Sequence, residues 1–204
     1  MKLGLFGGTF NPIHIGHLKI AHKVLDDFGL DKLIFIPSGN PPHKGAGEIA
    51  GAFHRLKMLE LAIADEACLA LLGSSRRERF EVSDIEIKRK GTSYTLDTIK
   101  QIKEIYGKDV ILYFIAGADM ALDLPNWKDP LKILELSHFI AVQRPDFSLE
   151  KLNEEYRKKM IFVEGVSIDV SSSDIRKRIK EGKTIKTLVS EAVREYIEDN
   201  ALFI

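Results

Sequence analysis

Short apolar runs alternate along the chain with segments whose apolar residues recur at helical spacing. Five runs are rich in β-branched or aromatic residues and are predicted to be strands: Lys2 to Phe6, Lys32 to Pro37, Asp109 to Ala116, His138 to Gln143 and Met160 to Glu164. The helical spacing is seen in three groups: Leu18, Ala21, Val24, Leu25 and Phe28, then Leu56, Leu59, Ala62 and Ile63, then Leu96, Ile99, Ile102 and Ile105. The pattern predicts strands and helices in alternation.

The run from Val110 to Ala116 is almost wholly apolar, which is typical of a strand in a parallel sheet covered on both faces. Together with the alternation, it predicts an α/β fold: a doubly wound, Rossmann-like parallel sheet with helices on both faces. Ligands of such sheets bind outside the carboxyl ends of the strands. The chain of 204 residues is expected to form a single domain, residues 1–204, in which residues 171–204 make a small C-terminal helical part.

Composition and charge narrow the function classes. Basic and acidic residues number 30 each, so the formal net charge is zero, which argues against nucleic acid or an anionic membrane as a partner. The single cysteine allows no intrachain disulfide. The first apolar stretch, Leu3 to Phe6, is too short for a signal-peptide core, and no apolar run approaches the roughly 20 residues that span a bilayer. A cytoplasmic location is expected.

The segment from Gly7 to His17 carries the strongest chemical signal. Two glycines after the first predicted strand allow backbone N–H groups to come close to an anion, and Thr9 adds a hydroxyl. A helix should begin near Ile15, so His14 and His17 share one face at its start, where the helix dipole and free N–H groups favour negative charge. We predict a phosphate-binding loop; the alternative is a tight turn with two solvated histidines.

A second segment, Ser171 to Arg176, resembles a helix start. Ser171 is the predicted N-cap, and Asp174 stands three residues later as a capping-box acid. Arg176 then falls early in the helix, where a cation is disfavoured by the dipole unless an anion lies nearby. A second phosphate-binding element is therefore predicted, the alternative being a capped helix with a solvated basic face.

The histidines also allow a metal-site hypothesis, in which His14 and His17 act with His43 or His54. No glutamate lies between the pair as in His-Glu-x-x-His, and thiolate ligands are nearly absent. The sequence therefore predicts no metal bound by protein ligands.

The two segments are similar to the Gly-x-Phe-x-Pro-x-His-x-Gly-His and Ser-Ser-x-x-Ile-Arg signatures of the nucleotidyltransferase superfamily. Along nearly its whole length the chain resembles bacterial nicotinate-nucleotide adenylyltransferases. Further stretches carry that resemblance: Pro41 to Lys44, Glu86 to Thr98 with its Ser-Tyr-Thr, Ala116 to Asp119 followed by Trp127, and Arg144-Pro145. Asn11 stands where many members of the superfamily have aspartate, and Ser190 where proline is frequent.

The resemblance implies an enzyme that joins ATP to nicotinate mononucleotide, giving nicotinate adenine dinucleotide and pyrophosphate in NAD biosynthesis. It implies that His14, His17, Lys44 and Arg176 are catalytic, contacting or neutralising the polyphosphate. ATP would also meet Gly7, Gly8, Thr9, Phe10, Ser172 and Ser173. Gly117 and Asp119 would line the dinucleotide site, Trp127 would stack on the pyridine ring, and Thr95 would meet the nicotinate carboxylate.

The implied reaction needs little covalent help from the protein. The phosphate of the mononucleotide is already an anion, so catalysis reduces to bringing two polyanions together and stabilising the charge on the transferring and leaving phosphates. Direct transfer without a covalent intermediate is expected, with Mg²⁺ carried mainly by the ATP phosphates. Without the resemblance, Trp127 would be as well interpreted as a loop anchor packed on the domain.

Several alternatives stay open at this point. A sister adenylyltransferase could act on nicotinamide mononucleotide or on pantetheine phosphate. His14-Ile15-Gly16-His17 also matches a motif of class I aminoacyl-tRNA synthetases, but those chains are much longer and carry a Lys-Met-Ser-Lys-Ser element that is absent here. A nucleotide sensor without turnover is the non-enzyme hypothesis. The sequence leaves open whether the protein is a homo-oligomer.

Overall fold

The computed structural model of the protein describes residues 1–39, 49–65, 68, 77–143, 152–164 and 170–204. Within these ranges six strands occur: β1 (Lys2–Gly8), β2 (Lys32–Pro37), β3 (Phe80–Val82), β4 (Ile111–Gly117), β5 (His138–Gln143) and β6 (Met160–Glu164). The α-helices of the described ranges are α1 (Ile15–Asp27), α2 (Ala52–Ala64), α3 (Ile85–Lys88), α4 (Thr95–Tyr106), α5 (Ala118–Asp123), α6 (Pro130–Leu136), α7 (Glu154–Arg157), α8 (Ser172–Lys180) and α9 (Glu191–Asp199). None of the helices in the described ranges is long and apolar enough to cross a membrane.

The strands form one parallel sheet in the order β3-β2-β1-β4-β5-β6. Since β1 pairs with β2 on one side and with β4 on the other, the strand order reverses between β1 and β4. Ligands of such sheets bind in the crevice at this reversal, outside the carboxyl ends of the strands. The register places Phe6 of β1 beside Phe35 of β2 and Ile115 of β4. Strands β1 and β4 therefore both end next to the crevice.

Helices cover both faces of the sheet, and each face has its own apolar core. On one face, Leu18 of α1, Met58 of α2 and Val193 of α9 pack in a cluster with Phe6 and Phe35 of the sheet. On the other face, helices α4, α5 and α6 contribute Leu96, Ile99, Ala118 and Ile133 to a second cluster, which also contains Leu5 and Phe114 of the sheet. Burying one such leucine or isoleucine contributes about 1.5–3 kcal/mol, so these two clusters hold the layers together.

The predicted fold class is confirmed, and a strand is found at each of the five predicted places. Strand β4 begins at Ile111 rather than Asp109, because the Val110 N–H donates to the Gly107 carbonyl in the preceding turn, and it ends at Gly117. Strand β1 extends two residues beyond the prediction, because Gly7 and Gly8 continue the register against Ile36 and Pro37. Strand β3 was not predicted. It is a three-residue edge strand, Phe-Glu-Val, too short to show a period. The last helix, α9, begins at Glu191, because Ser190 is its N-cap and accepts a hydrogen bond from the Val193 N–H.

The C-terminal helical part shares the core of the sheet. Ile175 of α8 and both Val193 and Ile197 of α9 belong to the same buried cluster as Phe6 of β1. The carbonyl of Leu188, in the segment before α9, accepts a hydrogen bond from the Ile15 N–H at the start of α1. Residues 171–204 therefore pack against the strand and helix that flank the predicted phosphate loop.

A histidine is buried on the same side of the sheet. His22 of α1 is 6% exposed, its ring meets the Phe80 ring at 4.6 Å, and within the described ranges neither of its ring nitrogens has a hydrogen-bond partner. Burial lowers the pKa of His22, and the nearby Asp26 only partly opposes that effect. The folded protein therefore holds His22 neutral.

Acid should destabilise the fold through His22. The pKa of His22 in the folded protein lies below the unfolded value of 6.5. Above pH 6.5 the ring is neutral in both states, so the lowered pKa of His22 costs the fold no stability there. Below that pH the unfolded chain takes up a proton that the folded chain refuses, and stability falls by up to about 1.4 kcal/mol per pH unit. We expect His22→Phe to reduce the drop in melting temperature between pH 7.5 and pH 5.5. The exposed-site change His138→Gln should keep the wild-type drop; an unchanged drop in His22→Phe would contradict the prediction.

Candidate active site

A cavity of about 500 Å³ lies at the carboxyl ends of β1 and β4, where the strand order reverses. Its lining includes the end of β1 with the first loop (residues 9–14), the start of α1, the residues after β2, the starts of α4, α5 and α8, and the segment that carries Trp127. Every predicted site residue except Lys44 and Arg176 lines this cavity: Gly7, Gly8, Thr9, Phe10, His14, His17, Thr95, Gly117, Asp119, Trp127, Ser172 and Ser173. Lys44 lies outside the described residues, and its role stays a prediction.

The first loop leaves β1 through two glycines at which a Cβ would crowd an aromatic ring. A Cβ on Gly8 would come within 2.9 Å of the Phe10 ring, and a Cβ on Gly7 within 2.9 Å of the Phe114 ring. Phe10 has a positive φ of 48° and a buried ring that packs edge-on against Phe6 and His17. Its side chain therefore supports the loop from below, and the loop backbone forms the cavity wall.

The two histidines form a stacked pair. His14 is the N-cap of α1, and its ring lies 3.7 Å from the ring of His17, centroid to centroid, at an interplanar angle of 29°. The backbone N–H of His14 donates to Nδ1 of His17 at 3.3 Å. Because Nδ1 accepts, a neutral His17 carries its proton on Nε2, which makes Nε2 the donor for a ligand. His14 is only 4% exposed, so the pair is not the solvated pair of the alternative interpretation.

Gly16 explains the spacing of the His-x-Gly-His segment. A Cβ at Gly16 would lie 3.0 Å from the His14 imidazole and 3.2 Å from Val170, so a side chain there would push the imidazole away from His17. The expectation of free N–H groups at this helix start is partly wrong. The N–H of Ile15 donates to Leu188, and those of His17 and Leu18 donate to the His14 carbonyl.

The second predicted segment is joined to the first loop. Ser171 caps α8 as predicted: its Oγ accepts from the Asp174 N–H at 3.0 Å and donates to the Asp174 carboxylate at 2.6 Å. The Ser172 hydroxyl donates to the Pro12 carbonyl at 2.9 Å, and Arg176 donates to the Asn11 carbonyl at 2.9 Å. In this arrangement Ser172 and Arg176 fasten α8 to the loop, although about 160 residues separate the partners in sequence.

The opposite wall contains the aromatic residues expected at a ring site. Helix α4 begins at Thr95 after the N-cap Tyr94, and Trp127 follows the 3₁₀ turn Leu124–Asn126. A Cβ at Gly117 would lie 2.6 Å from the Asp119 carboxylate, so a side chain there would displace that carboxylate from its position in the cavity. The predicted ring and phosphate elements therefore face one cavity.

Comparison with known proteins identifies the family. The sequence profile of the cytidylyltransferase-like family matches residues 5–178. A probable nicotinate-nucleotide adenylyltransferase of Desulfitobacterium hafniense (strain Y51) is 42% identical over 99% of the chain and 95% of its own length. One from Thermoanaerobacter sp. (strain X514) is 41% identical over 100% of the chain and 94% of its own length. The chain belongs to the nicotinate-nucleotide adenylyltransferase family. It is a nucleotidyltransferase by descent.

Solved structures support the same fold. The nicotinic acid mononucleotide adenylyltransferase of Plasmodium falciparum complexed with NaAD superposes with a TM-score of 0.80 at 21% identity, covering 99% of this chain and 97% of that one. A putative nicotinate-nucleotide adenylyltransferase from Vibrio parahaemolyticus gives a TM-score of 0.70 at 21% identity, covering 99% and 94%. At these identities the likeness establishes the fold of this family member.

The metal-site hypothesis finds no support at His54. Its Nδ1 lies 2.9 Å from the Tyr196 hydroxyl. This contact joins α2 to α9 and does not involve the His14/His17 pair. His43 lies outside the described residues. Among the residues that the structure describes, no group of three or more His, Cys, Asp or Glu side chains could hold a metal ion.

The structure adds a site residue that sequence reasoning missed. Arg55 of α2 is 1% exposed, and its guanidinium donates to four backbone carbonyls. The acceptors are Ala50 at 3.0 Å, Thr9 at 3.0 Å, Ser38 at 2.7 Å and Gly39 at 3.2 Å. The N–H of Ala50 donates in turn to the Asn11 side chain, an acceptor that aspartate would also supply. One signal could have revealed Arg55: it lies three and four residues before Met58 and Leu59, on their buried face.

Glu86 extends this network toward the ring wall. Its carboxylate accepts from the Thr98 hydroxyl at 2.8 Å and from the Gly39 N–H, and its backbone carbonyl accepts from the Ser93 hydroxyl at 3.1 Å. Burial raises the pKa of Glu86, although these hydrogen bonds and Arg89 oppose the shift. Arg55 and Glu86 therefore connect the first loop, through Gly39, to the start of α4.

Replacing Arg55 by lysine should weaken ATP binding beyond its effect on stability. Lysine keeps the charge but lacks the planar fork that reaches three segments, so the first loop loses its fixed position. We expect Arg55→Lys to lower the melting temperature. We also expect it to lower the affinity for ATP at least about tenfold, as measured by calorimetry at 25 °C. Arg79 also donates to backbone carbonyls, those of Leu30 and Asp31, away from the cavity. Arg79→Lys should lower stability alone; equal ATP affinity in the two variants would argue against this role of Arg55.

Proposed function

We propose that this protein transfers the adenylyl group of ATP to nicotinate mononucleotide, producing nicotinate adenine dinucleotide and pyrophosphate for NAD biosynthesis. The observation that carries the proposal is that one cavity is lined both by the His14/His17 pair with the first loop and by Trp127 with the start of α4. The names of full-length relatives at 41–42% identity support the same substrate. So does the ligand of the Plasmodium falciparum structure, NaAD, the product of this reaction.

The phosphate side provides charge stabilisation without a protein nucleophile. The mononucleotide phosphate attacks the α-phosphorus of ATP, the bond from the α-phosphorus to the bridging oxygen breaks, and pyrophosphate leaves with that bond's electron pair. We assign the binding of the phosphates during this exchange to His17 Nε2, His14 and the backbone of the first loop. Arg176 contributes its positive charge from behind the loop, through its bond to the Asn11 carbonyl. Lys44 remains a predicted partner of the leaving phosphates.

Mg²⁺ arrives with ATP in this proposal. The ion is coordinated chiefly by phosphate oxygens and water, as small hard cations prefer, and neutralises part of the polyphosphate charge. The protein contributes the shape of the cavity and the donors that position the phosphates around the ion.

The ring side accounts for an acidic pyridine nucleotide. The N–H groups of Asp97 and Thr98 donate to the Tyr94 carbonyl, which leaves the first N–H groups of α4, those of Thr95 and Leu96, as the donors at the helix start. A helix start favours an anion, and nicotinate carries a carboxylate where nicotinamide carries a neutral amide. We propose that this helix start selects nicotinate mononucleotide, with Trp127 stacked on the pyridine ring.

Turnover with a panel of acceptors tests the proposal. We expect pyrophosphate release with ATP and nicotinate mononucleotide to exceed release with nicotinamide mononucleotide or pantetheine phosphate. Preference for another acceptor would overturn the assignment of nicotinate mononucleotide as the substrate. Absence of turnover with all three acceptors would favour a sensor.

The same assay tests the role of His17. His17→Ala should show a kcat at least about a hundredfold lower, the scale of losing a pre-organised donor. A loss of only a few-fold would overturn this role.

A further inference from the structure

The only tryptophan of the chain is held by a carboxylate. The indole Nε1 of Trp127 donates to Oδ2 of Asp123 at 3.1 Å. The other carboxylate oxygen, Oδ1, accepts from the Asn126 side-chain amide at 2.9 Å. Both oxygens of Asp123 are therefore directed at the short segment that carries Trp127, and Asp123 and Trp127 both line the cavity.

The position of Asp123 is costly for the helix that contains it. Asp123 is the last residue of α5, where the negative end of the helix dipole disfavours a carboxylate. A charge placed against a local preference of this kind often has a functional reason. This carboxylate accepts hydrogen bonds from Asn126 and Trp127, and these bonds are its contribution to the structure.

The packing of Trp127 leaves the carboxylate to set its orientation. The indole meets the Phe114 ring at 6.1 Å with an interplanar angle of 90°, and the Phe139 ring at 6.3 Å with an angle of 63°. These edge-to-face contacts support the buried part of a half-buried ring, and its remaining surface lines the cavity. Rotation of the indole is then restricted by the bond from its Nε1 to Asp123.

We propose that Asp123 is a positioning residue that sets both the orientation and the electron density of Trp127 for a cationic pyridinium ring. The inference rests on the proposed function, in which Trp127 stacks on the pyridine nucleotide. Fixing the ring before binding removes an ordering cost from association. A carboxylate that accepts a charge-assisted hydrogen bond from the indole N–H also enriches the ring in electrons, which strengthens its attraction for a positively charged ring.

The neighbouring residue is fixed in a comparable way. Lys128 lies 4.7 Å from the centre of the Tyr94 ring and 3.2 Å from the Asp97 carboxylate, at the start of α4. The segment that carries Trp127 is thus tied on one side to Asp123 and on the other to the helix start that we assign to the nicotinate carboxylate. The wall is built before the ligand arrives.

Two substitutions separate orientation from charge. Asp123→Asn keeps an acceptor near the indole and removes the negative charge, whereas Asp123→Ala removes both. We expect the KM for nicotinate mononucleotide to rise at least about tenfold in Asp123→Ala and about threefold in Asp123→Asn, with kcat and the KM for ATP within about threefold of wild type. Glu135→Gln, the same charge change on the exposed surface of α6, should leave all three constants unchanged.

Intrinsic fluorescence provides an independent readout, because Trp127 is the sole source of tryptophan emission. Titration of wild type with nicotinate mononucleotide should quench this emission, and Asp123→Ala should require at least about tenfold more ligand for half of the change. A merely structural role would lower the folded fraction and kcat while leaving the KM and the quenching midpoint unchanged.

The outcomes separate this inference from the proposed function. If wild type turns over nicotinate mononucleotide and shows quenching, but Asp123→Ala keeps its KM and midpoint within about twofold, the inference is overturned and the proposed function stands. If wild type neither turns over this nucleotide nor changes its fluorescence, both are overturned. Should Asp123→Ala fail to fold, the isosteric Asp123→Asn decides: a KM and a quenching midpoint that both match wild type show that the charge of Asp123 does not strengthen binding, which overturns the inference as stated.

Discussion

The reversal of strand order between β1 and β4 is the constraint on which the site depends. The chain leaves β1 toward α1 on one face of the sheet and leaves β4 toward α5 on the other face, as the two separate core clusters require. Two neighbouring strands thus send their continuations apart and leave a crevice between them. The first loop lies on one side of that crevice, and Gly117 and Asp119 lie on the other. A protein with this sheet order can hold two polar ligands side by side without an insertion.

An irregular loop at such a crevice needs support, and here the support comes from behind. The carbonyls of Thr9, Asn11 and Pro12 accept hydrogen bonds from Arg55, Arg176 and Ser172, three side chains of other elements. Across a trans peptide the N–H points away from the carbonyl, so the bond to Thr9 turns the Phe10 N–H away from Arg55. Two guanidinium groups behind the loop also place permanent positive charge near a site for polyphosphate. The same contacts serve folding and electrostatics.

Much of the fold and part of the site could be predicted from the sequence because the signals are local. A wholly apolar run such as Val110 to Ala116 marks a buried strand, and Ser171 with Asp174 marks a helix start. Gly8, Gly16 and Gly117 stand where a Cβ would lie within about 3 Å of Phe10, His14 or Asp119, so these glycines can be recognised from local crowding.

The features that the sequence did not predict depend on contacts between segments that are distant in sequence. Arg55 acts on carbonyls of residues 9, 38, 39 and 50, and no pattern around a lone arginine in a helix reveals such acceptors. Strand β3 is only three residues long, and its place at the sheet edge depends on pairing with β2, which is distant in sequence. The hydroxyl of Ser172 was assigned to phosphate by resemblance, and its bond to the Pro12 carbonyl becomes visible only when α8 and the first loop are brought together.

The central claim is that both nucleotides occupy one crevice together, so that the adenylyl group passes directly from ATP to the mononucleotide. The stereochemical course at the α-phosphorus tests it most directly. The probe is ATP in which sulfur replaces one non-bridging oxygen of the α-phosphate, so that the phosphorus has a defined configuration. One in-line displacement inverts this configuration, and two successive displacements through a protein-bound intermediate restore it. The account predicts inversion in the nicotinate adenine dinucleotide formed, and retention would contradict it.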